Sequence, residues 1–215
     1  GNVWQQPASD SYSYSVSAAA NLQAASNLRV GLGTFYAVAQ NDSQYVTEAT
    51  DPNGTLHYLL AHIAQDTVGL TVRADYTVTP KLSLQVYAQP FVAAGAYTRY
   101  KDVDTPMAPR YADRFHLYGA GEISETAGVL TVDRNQDGVP DFSFERPDFS
   151  VRELRSNVVV RWEYRPGSTL FLVWSHGRES SAGDGAFRLG HDLTELGRTS
   201  GEHVFLAKLN YWFGT

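Results

Sequence analysis

The chain is expected to be all-β: an antiparallel, up-and-down transmembrane β-barrel with long outer loops. Three observations lead there. First, Pro147–Arg178 reads as two long strands around a tight Arg165-Pro166-Gly167-Ser168 turn. Pro presets φ at the first central turn position and Gly accepts positive φ at the second. Along the first of these strands Leu154, Val158, Val160, Trp162 and Tyr164 share one face, and Glu153, Arg155, Asn157, Arg161 and Glu163 the other. Alternation of this length exceeds the roughly 9–11 residues that a strand needs to cross a bilayer. Second, the connections between apolar-alternating stretches run short, long, short, long, as periplasmic turns and outer loops do. Third, charged residues make up only 19% of the chain and aromatics 13%, a profile that arises when lumen-facing polar residues offset a lipid-facing apolar surface, and one that many soluble all-β proteins share.

Taken in order, residues 1–10 read as an irregular lead-in. Ser11–Ala24 alternates Tyr12, Tyr14, Val16, Ala18, Ala20 and Leu22 with serines and Asn21, giving a first strand. Leu28–Asn41 is the second, and Asp42–Leu56, with its Asp-Pro and Asn-Gly pairs, a polar loop. The third strand runs from about His57 to Val78, the fourth from Leu82 to Tyr100. Pro90 donates no ladder hydrogen bond and so marks a bulge or local break in the fourth. Lys101–Arg146 is too long for a plain hairpin loop and is expected to carry structure of its own. After the Pro147–Arg178 hairpin, Glu179–Glu202 forms another outer loop and His203–Phe213 the last strand. Its aromatic end, Tyr211-Trp212-Phe213, suits a membrane interface. The chain is thus one domain, 1–215, with seven strands. Bacterial barrels close with an even number, so either a strand is hidden or these are the C-terminal strands of a larger barrel.

Composition excludes several classes. A net charge of −6 argues against a nucleic-acid partner. With no cysteine there are no disulfides, thiolate nucleophiles or Cys-ligated metals. No apolar run approaches the roughly 18 residues of a membrane-spanning helix. The start, GNVWQQPASD, lacks the basic and apolar regions of a signal peptide, as a mature or truncated chain would.

Four stretches carry a family resemblance: NVVVRWEYRPGSTLFLVW with the PDF before it, LSLQVYAQPFVAAGAY at Leu82–Tyr97, and the closing FLAKLNYWFG. They resemble the C-terminal barrel of a bacterial outer-membrane family of unassigned function, whose members carry an N-terminal domain similar to family 9 carbohydrate-binding modules. The resemblance spans roughly His57 to Thr215. It implies a barrel in the bacterial outer membrane and an association with saccharide, and it supplies no catalytic residues. The sugar-binding-like domain and the earlier strands are not in this sequence, which is how a C-terminal fragment would read.

The sharpest local motif is Asp133-Arg-Asn135-Gln-Asp137-Gly138-Val139-Pro-Asp141. Side-chain oxygens at positions 1, 3, 5 and 9, Gly at 6 and a backbone carbonyl at 7 match the opening of a calcium loop of EF-hand type. Phe144 stands where the bidentate Glu of position 12 belongs, and Glu145 follows it. Calcium on Asp133, Asn135, Asp137, the Val139 carbonyl and Asp141 is the expectation; the plainer alternative is an acidic, solvated turn.

A second constellation, Arg73, Asp75, Arg155, Arg161 and Glu163, reads more simply as a salt-bridged barrel interior than as a solute filter. Glu153 and Glu163 lie roughly 33 Å apart along one strand, too far for a glycosidase pair. Of the six histidines, His176 and His203 could meet where strands join the outer loop, but isolated surface histidines are the simpler reading. No Gly-x-Ser-x-Gly elbow or phosphate-cradling loop occurs. The chain is therefore expected to be no enzyme, but a channel, receptor or anchor in outer-membrane lipid, completed by missing strands or another chain. The alternative is a soluble, calcium-dependent β-sandwich that binds carbohydrate.

Overall fold

A computed structural model describes residues 1–213. A five-residue strand β1 (Asn2–Gln6) and a 3-10 turn (Pro7–Ser9) lead into four long strands: β2 (Ser11–Ala25), β3 (Leu28–Thr50), β4 (Leu56–Thr79) and β5 (Leu82–Val103). The excursion after β5 holds β6 (Phe115–Leu117) and a separate three-stranded sheet of β7 (Ile123–Thr126), β8 (Val129–Val132) and β9 (Phe142–Glu145). Strands β10 (Phe149–Arg165) and β11 (Ser168–Ala182), helix α1 (Leu189–Arg198) and β12 (Glu202–Asn210) complete the chain. The main sheet is antiparallel throughout, in the order β1-β2-β3-β4-β5-β10-β11-β12, with β6 paired to β5.

All seven expected strands are present, and three expectations about their limits are corrected. The lead-in is not irregular, because Asn2–Gln6 pairs with Ser11–Ser15. The polar loop expected over Asp42–Leu56 is mostly strand, since β3 continues to Thr50 and only residues 51–55 turn. Two register shifts in β3, between Asn41 and Gln44 and between Tyr45 and Thr47, let the polar run stay in the ladder. The last strand ends at Asn210. Beyond it Trp212 donates its backbone N–H to Ser168 Oγ at 3.0 Å, and Tyr211 accepts from Arg165 at 2.8 Å. At Pro90 the pairing of β4 with β5 lapses between Gly69–Phe91 and Val72–Ala88, without a bulge. Gly167 has φ +77, which a non-glycine residue would hold only under strain, and Trp212 packs over it.

The register carries the sheet's two faces unbroken across seven strands. One cross-strand row is Leu22, Val30, Ala74, Val86, Val158, Trp174 and Phe205. The adjacent row, on the opposite face, is Asn21, Gly31, Arg73, Tyr87, Asn157, Ser175 and Val204. Period-2 geometry makes every residue two further along repeat the choice of side. On the apolar face Val16, Leu22, Leu32, Leu70, Trp162, Leu172 and Phe205 all stay exposed, Phe205 to 76%. The opposite face is more sheltered: Phe35 lies where a Cβ on Gly69 would come within 2.3 Å of its ring, and Arg73 sits over the Tyr87 ring at 5.4 Å.

The two ends of the sheet differ. At the turn end, tight links join β2 to β3, β4 to β5 and β10 to β11. At the loop end the only buried apolar cluster forms, among the described residues. Tyr118, Leu130, Val132, Phe142 and Phe144 of the excursion close on Leu59, with Val46, Ala49, Tyr100 and Ile123 at its margin. Leu59 shares a face with Ile63 and Gln65, so the small sheet rests on the polar side of the large one. Helix α1 is held by a buried pair, Arg152 Nε to Asp192 Oδ1 at 2.7 Å.

No closed barrel is seen among the described residues, where β1 and β12 are the two edges. Strands β2 and β12 both run from the loop end to the turn end, so direct pairing between them would be parallel. β1 runs the opposite way to β2, so a β1–β12 pair would be antiparallel.

Candidate functional site at the loop-bearing end

The predicted calcium residues sit in the turn between β8 and β9, and the structure draws their oxygens onto the loop's own amides. Asp133 accepts the backbone N–H groups of Asp137 (3.2 Å) and Gly138 (2.9 Å). Asn135 Oδ1 also accepts from Asp137 N–H, and Asp137 Oδ1 from Val139 N–H at 2.8 Å. Asp141 Oδ2 accepts from Arg134 N–H at 2.8 Å. Gln136 and Gly138, at φ +57 and +87, supply the tight winding. Asp133, Asn135 and Asp137 are thereby gathered around one stretch of backbone. Among the described residues, however, no three acidic or histidine side chains converge closely enough to hold an ion as they stand. Each carboxylate oxygen keeps a second lone pair, so the set fits a cation only after the loop turns those oxygens inward.

Behind this turn lies a charged network that the sequence did not announce. Arg134, the second residue of the motif, reaches Asp104 at 2.9 Å and Asp102 at 3.3 Å. Asp102 is fully buried and also takes His57 Nδ1 at 2.8 Å. Its other oxygen, and the buried Tyr118 hydroxyl, have no hydrogen-bond partner among the described residues. Burial pushes the Tyr118 hydroxyl well above the ordinary tyrosine range, with the nearby Asp102 charge adding to it. Asp104 is held below the usual carboxylate range first by its hydrogen bond from Arg134. Glu122 is likewise lowered, first by the Gly119 N–H it accepts and then by His116 at 2.7 Å. His57 lies between Asp102 at 2.8 Å and Asp51 at 3.7 Å, but Asp102 is fully buried, so this ion-paired group acts as a link between β4, β5 and the excursion.

A second cluster lies one residue earlier on β5. Lys101 and Asp102 are strand neighbours and so point to opposite faces. Lys101 is buried with its Nζ at 2.6 Å from Asp42 Oδ2, 4.8 Å from the Phe115 ring centre and 5.6 Å from that of Tyr111. Arg99 and His62 both approach the other oxygen of Asp42, at 3.4 Å and 3.5 Å. Arg99 has φ +53 at an irregularity in the β4–β5 register. The sequence signal for both clusters was slight: three charges, Arg99, Lys101 and Asp102, at the upper end of an otherwise uncharged strand.

The remaining predicted groups are dispersed. Arg73 and Asp75 lie on the polar face, where Arg29 stands opposite Asp75. Arg155 pairs with Glu153, Glu163 accepts from Gly167 N–H, and Arg161 faces Ser83 and Phe171. His176 and His203 are not isolated: their rings stack at 4.5 Å beside Trp174, because β11 and β12 set them directly opposite. No family model, curated protein or solved structure matches the chain.

Proposed function

We propose that the large sheet is the wall of an outer-membrane β-barrel and that its loop end forms a receptor-like cap. The observation that carries this reading is the apolar row that crosses seven strands with no residue of it buried: Leu22, Trp174 and Phe205 are exposed and the four between them partly so. Water would disfavour such a surface by about 25 cal/mol per Å², and a monomeric soluble protein rarely leaves a contiguous patch of that extent uncovered. Hydrocarbon is the solvent it suits. A β-sandwich would need a second sheet on that face, and among the described residues none packs there. The polar face would then line the lumen, and the β7–β9 sheet on its loop end would narrow the mouth, which favours a receptor or anchor over an open channel.

Counting β1, the wall has eight strands instead of seven. Even parity allows closure with every pair antiparallel, through β1 or further strands beside it. An open edge in hydrocarbon would strand its N–H and C=O groups, so β12 and the lower half of β2 are proposed to be paired in the membrane. Calcium is proposed at Asp133–Asp141, bound after the loop oxygens turn inward. The test of the main reading is folding: the purified chain should enter detergent micelles or lipid vesicles as a compact, heat-modifiable β species. Stable, monodisperse behaviour in plain buffer would overturn it.

A further inference from the structure

A cleft of about 200 Å³ opens beside the Asp42–Lys101 pair, lined by Ala8, Ser9, Asp10, Arg99, Tyr111, Ala112, Phe115 and Leu117 among others. It differs from the other depressions in how its charges are held. Lys101 and Asp42 are buried and paired with each other as its floor, while the second Asp42 oxygen makes no hydrogen bond among the described residues. Above it, Asp10 and Arg99 remain open to solvent. The Arg99 side chain is 54% exposed and only grazes Asp42, while Asp10 has no ion-pair or hydrogen-bond partner for its side chain among the described residues. The two do not pair with each other, although both line the same small space.

Their backbones add an independent observation. Four non-glycine residues in the described chain have positive φ, and two of them are Asp10 (φ +52) and Arg99 (φ +53). Such conformations cost of order 1 kcal/mol or more and concentrate where a side chain must be aimed. Here they come from different elements, the end of the 3-10 turn and an irregularity in β5, and converge on one cleft. The remaining wall is apolar: Ala8, Ala112, Phe115 and Leu117.

We infer that this cleft binds a small zwitterion of α-amino-acid type, carboxylate on Arg99, ammonium on Asp10 and an apolar side chain against Phe115 and Leu117. An inorganic anion would satisfy Arg99 and be repelled by Asp10, and a simple cation the reverse. A neutral sugar would leave both charges unanswered. The Lys101 ammonium beneath is held by Asp42 and offers no competing free charge. The site belongs to the chain's own fold and does not depend on the membrane reading.

The experiment is isothermal calorimetry on the folded full chain with leucine, N-acetyl-leucine, leucine amide and glucose. Leucine should bind at millimolar concentration or below. Each capped analogue lacks one charge and should bind about tenfold more weakly or worse, the effect of one lost charge-assisted hydrogen bond. D10N keeps the left-handed turn, because Asn tolerates it, and should lose the preference for leucine over N-acetyl-leucine. R99Q should lose the preference over leucine amide. An unchanged far-ultraviolet spectrum and melting profile will show that both variants fold. No leucine binding, binding of glucose instead, or equal affinity for leucine and both capped analogues would overturn the assignment.

Discussion

Val160 and Arg161 are chain neighbours and face opposite sides of β10: Val160 pairs with Leu84 and Leu172, Arg161 with Ser83 and Phe171. If the apolar face meets lipid, V160R should cost about 2–4 kcal/mol of unfolding free energy near mid-bilayer. R161Q should change stability little, since Arg161 has no ion-pair partner among the described residues. Urea titration in vesicles measures both, and equal effects would contradict the assignment of sides. Lys101 poses a different residue-scale question. It is buried against Asp42, and a buried pair broken by removing one partner typically loses about 3–5 kcal/mol, because the other charge is left uncompensated. Arg99 and His62 remain beside Asp42, so K101M should fall at or below the lower end of that range. A neutral K101M would mean that the pair contributes nothing to the fold.

Among the elements, the β7–β9 cap should be the part that responds to conditions. Glu122 and Asp104 have carboxyl groups lowered below their unfolded values, chiefly by the Gly119 N–H and by Arg134. A depressed carboxylate stabilises the fold above its unfolded pKa, and that contribution disappears as pH falls through the folded value. The cap should therefore loosen on acidification below the ordinary carboxylate range, ahead of the strands. Hydrogen exchange should show amides of residues 119–145 losing protection before those of β10 and β11. Calcium should work the other way: it should lower protease sensitivity between Lys101 and Arg146, and Asp137→Ala should abolish that effect. If millimolar calcium produced no heat by calorimetry, the turn would be a solvated one and nothing more.

The same scale shows what was legible in advance. The strands of the large sheet could be read because each follows one rule, alternation of apolar and polar side chains, which repeats every second residue. β1 was hidden because Asn2–Gln6 is polar with one Trp and one Val and gains its structure only from pairing with Ser11–Ser15. The upper half of β3 was hidden for a related reason, since its bulges move polar residues off the alternating pattern. The calcium motif was visible as spacing, but its oxygens proved to be occupied by backbone amides. The clusters around Asp42 and Asp102 join residues far apart in the chain, such as Arg134 with Asp102, 32 positions apart, and Tyr111 with Asp42, 69 apart. No local pattern encodes such contacts.

At the scale of the whole molecule, the apolar surface runs across seven strands, with Thr34, Ser156 and His176 as polar members along it and Asp66, His62 and Arg152 towards the loop end. A sheet built this way has an amphipathic cross-section, with hydrocarbon on one side and polar groups on the other, and a folded cap at one rim. The central claim is therefore about solvent, and it can be read residue by residue. The chain has no cysteine, so single-cysteine spin labels can be placed at 157, 158, 160, 161 and 172 without background. In lipid vesicles, labels at 158, 160 and 172 should be relaxed by oxygen, which concentrates in hydrocarbon, and those at 157 and 161 by a water-soluble nickel chelate. If accessibility did not alternate, or if the chelate reached 158, 160 and 172 as readily as 157 and 161, the apolar face would not be in lipid.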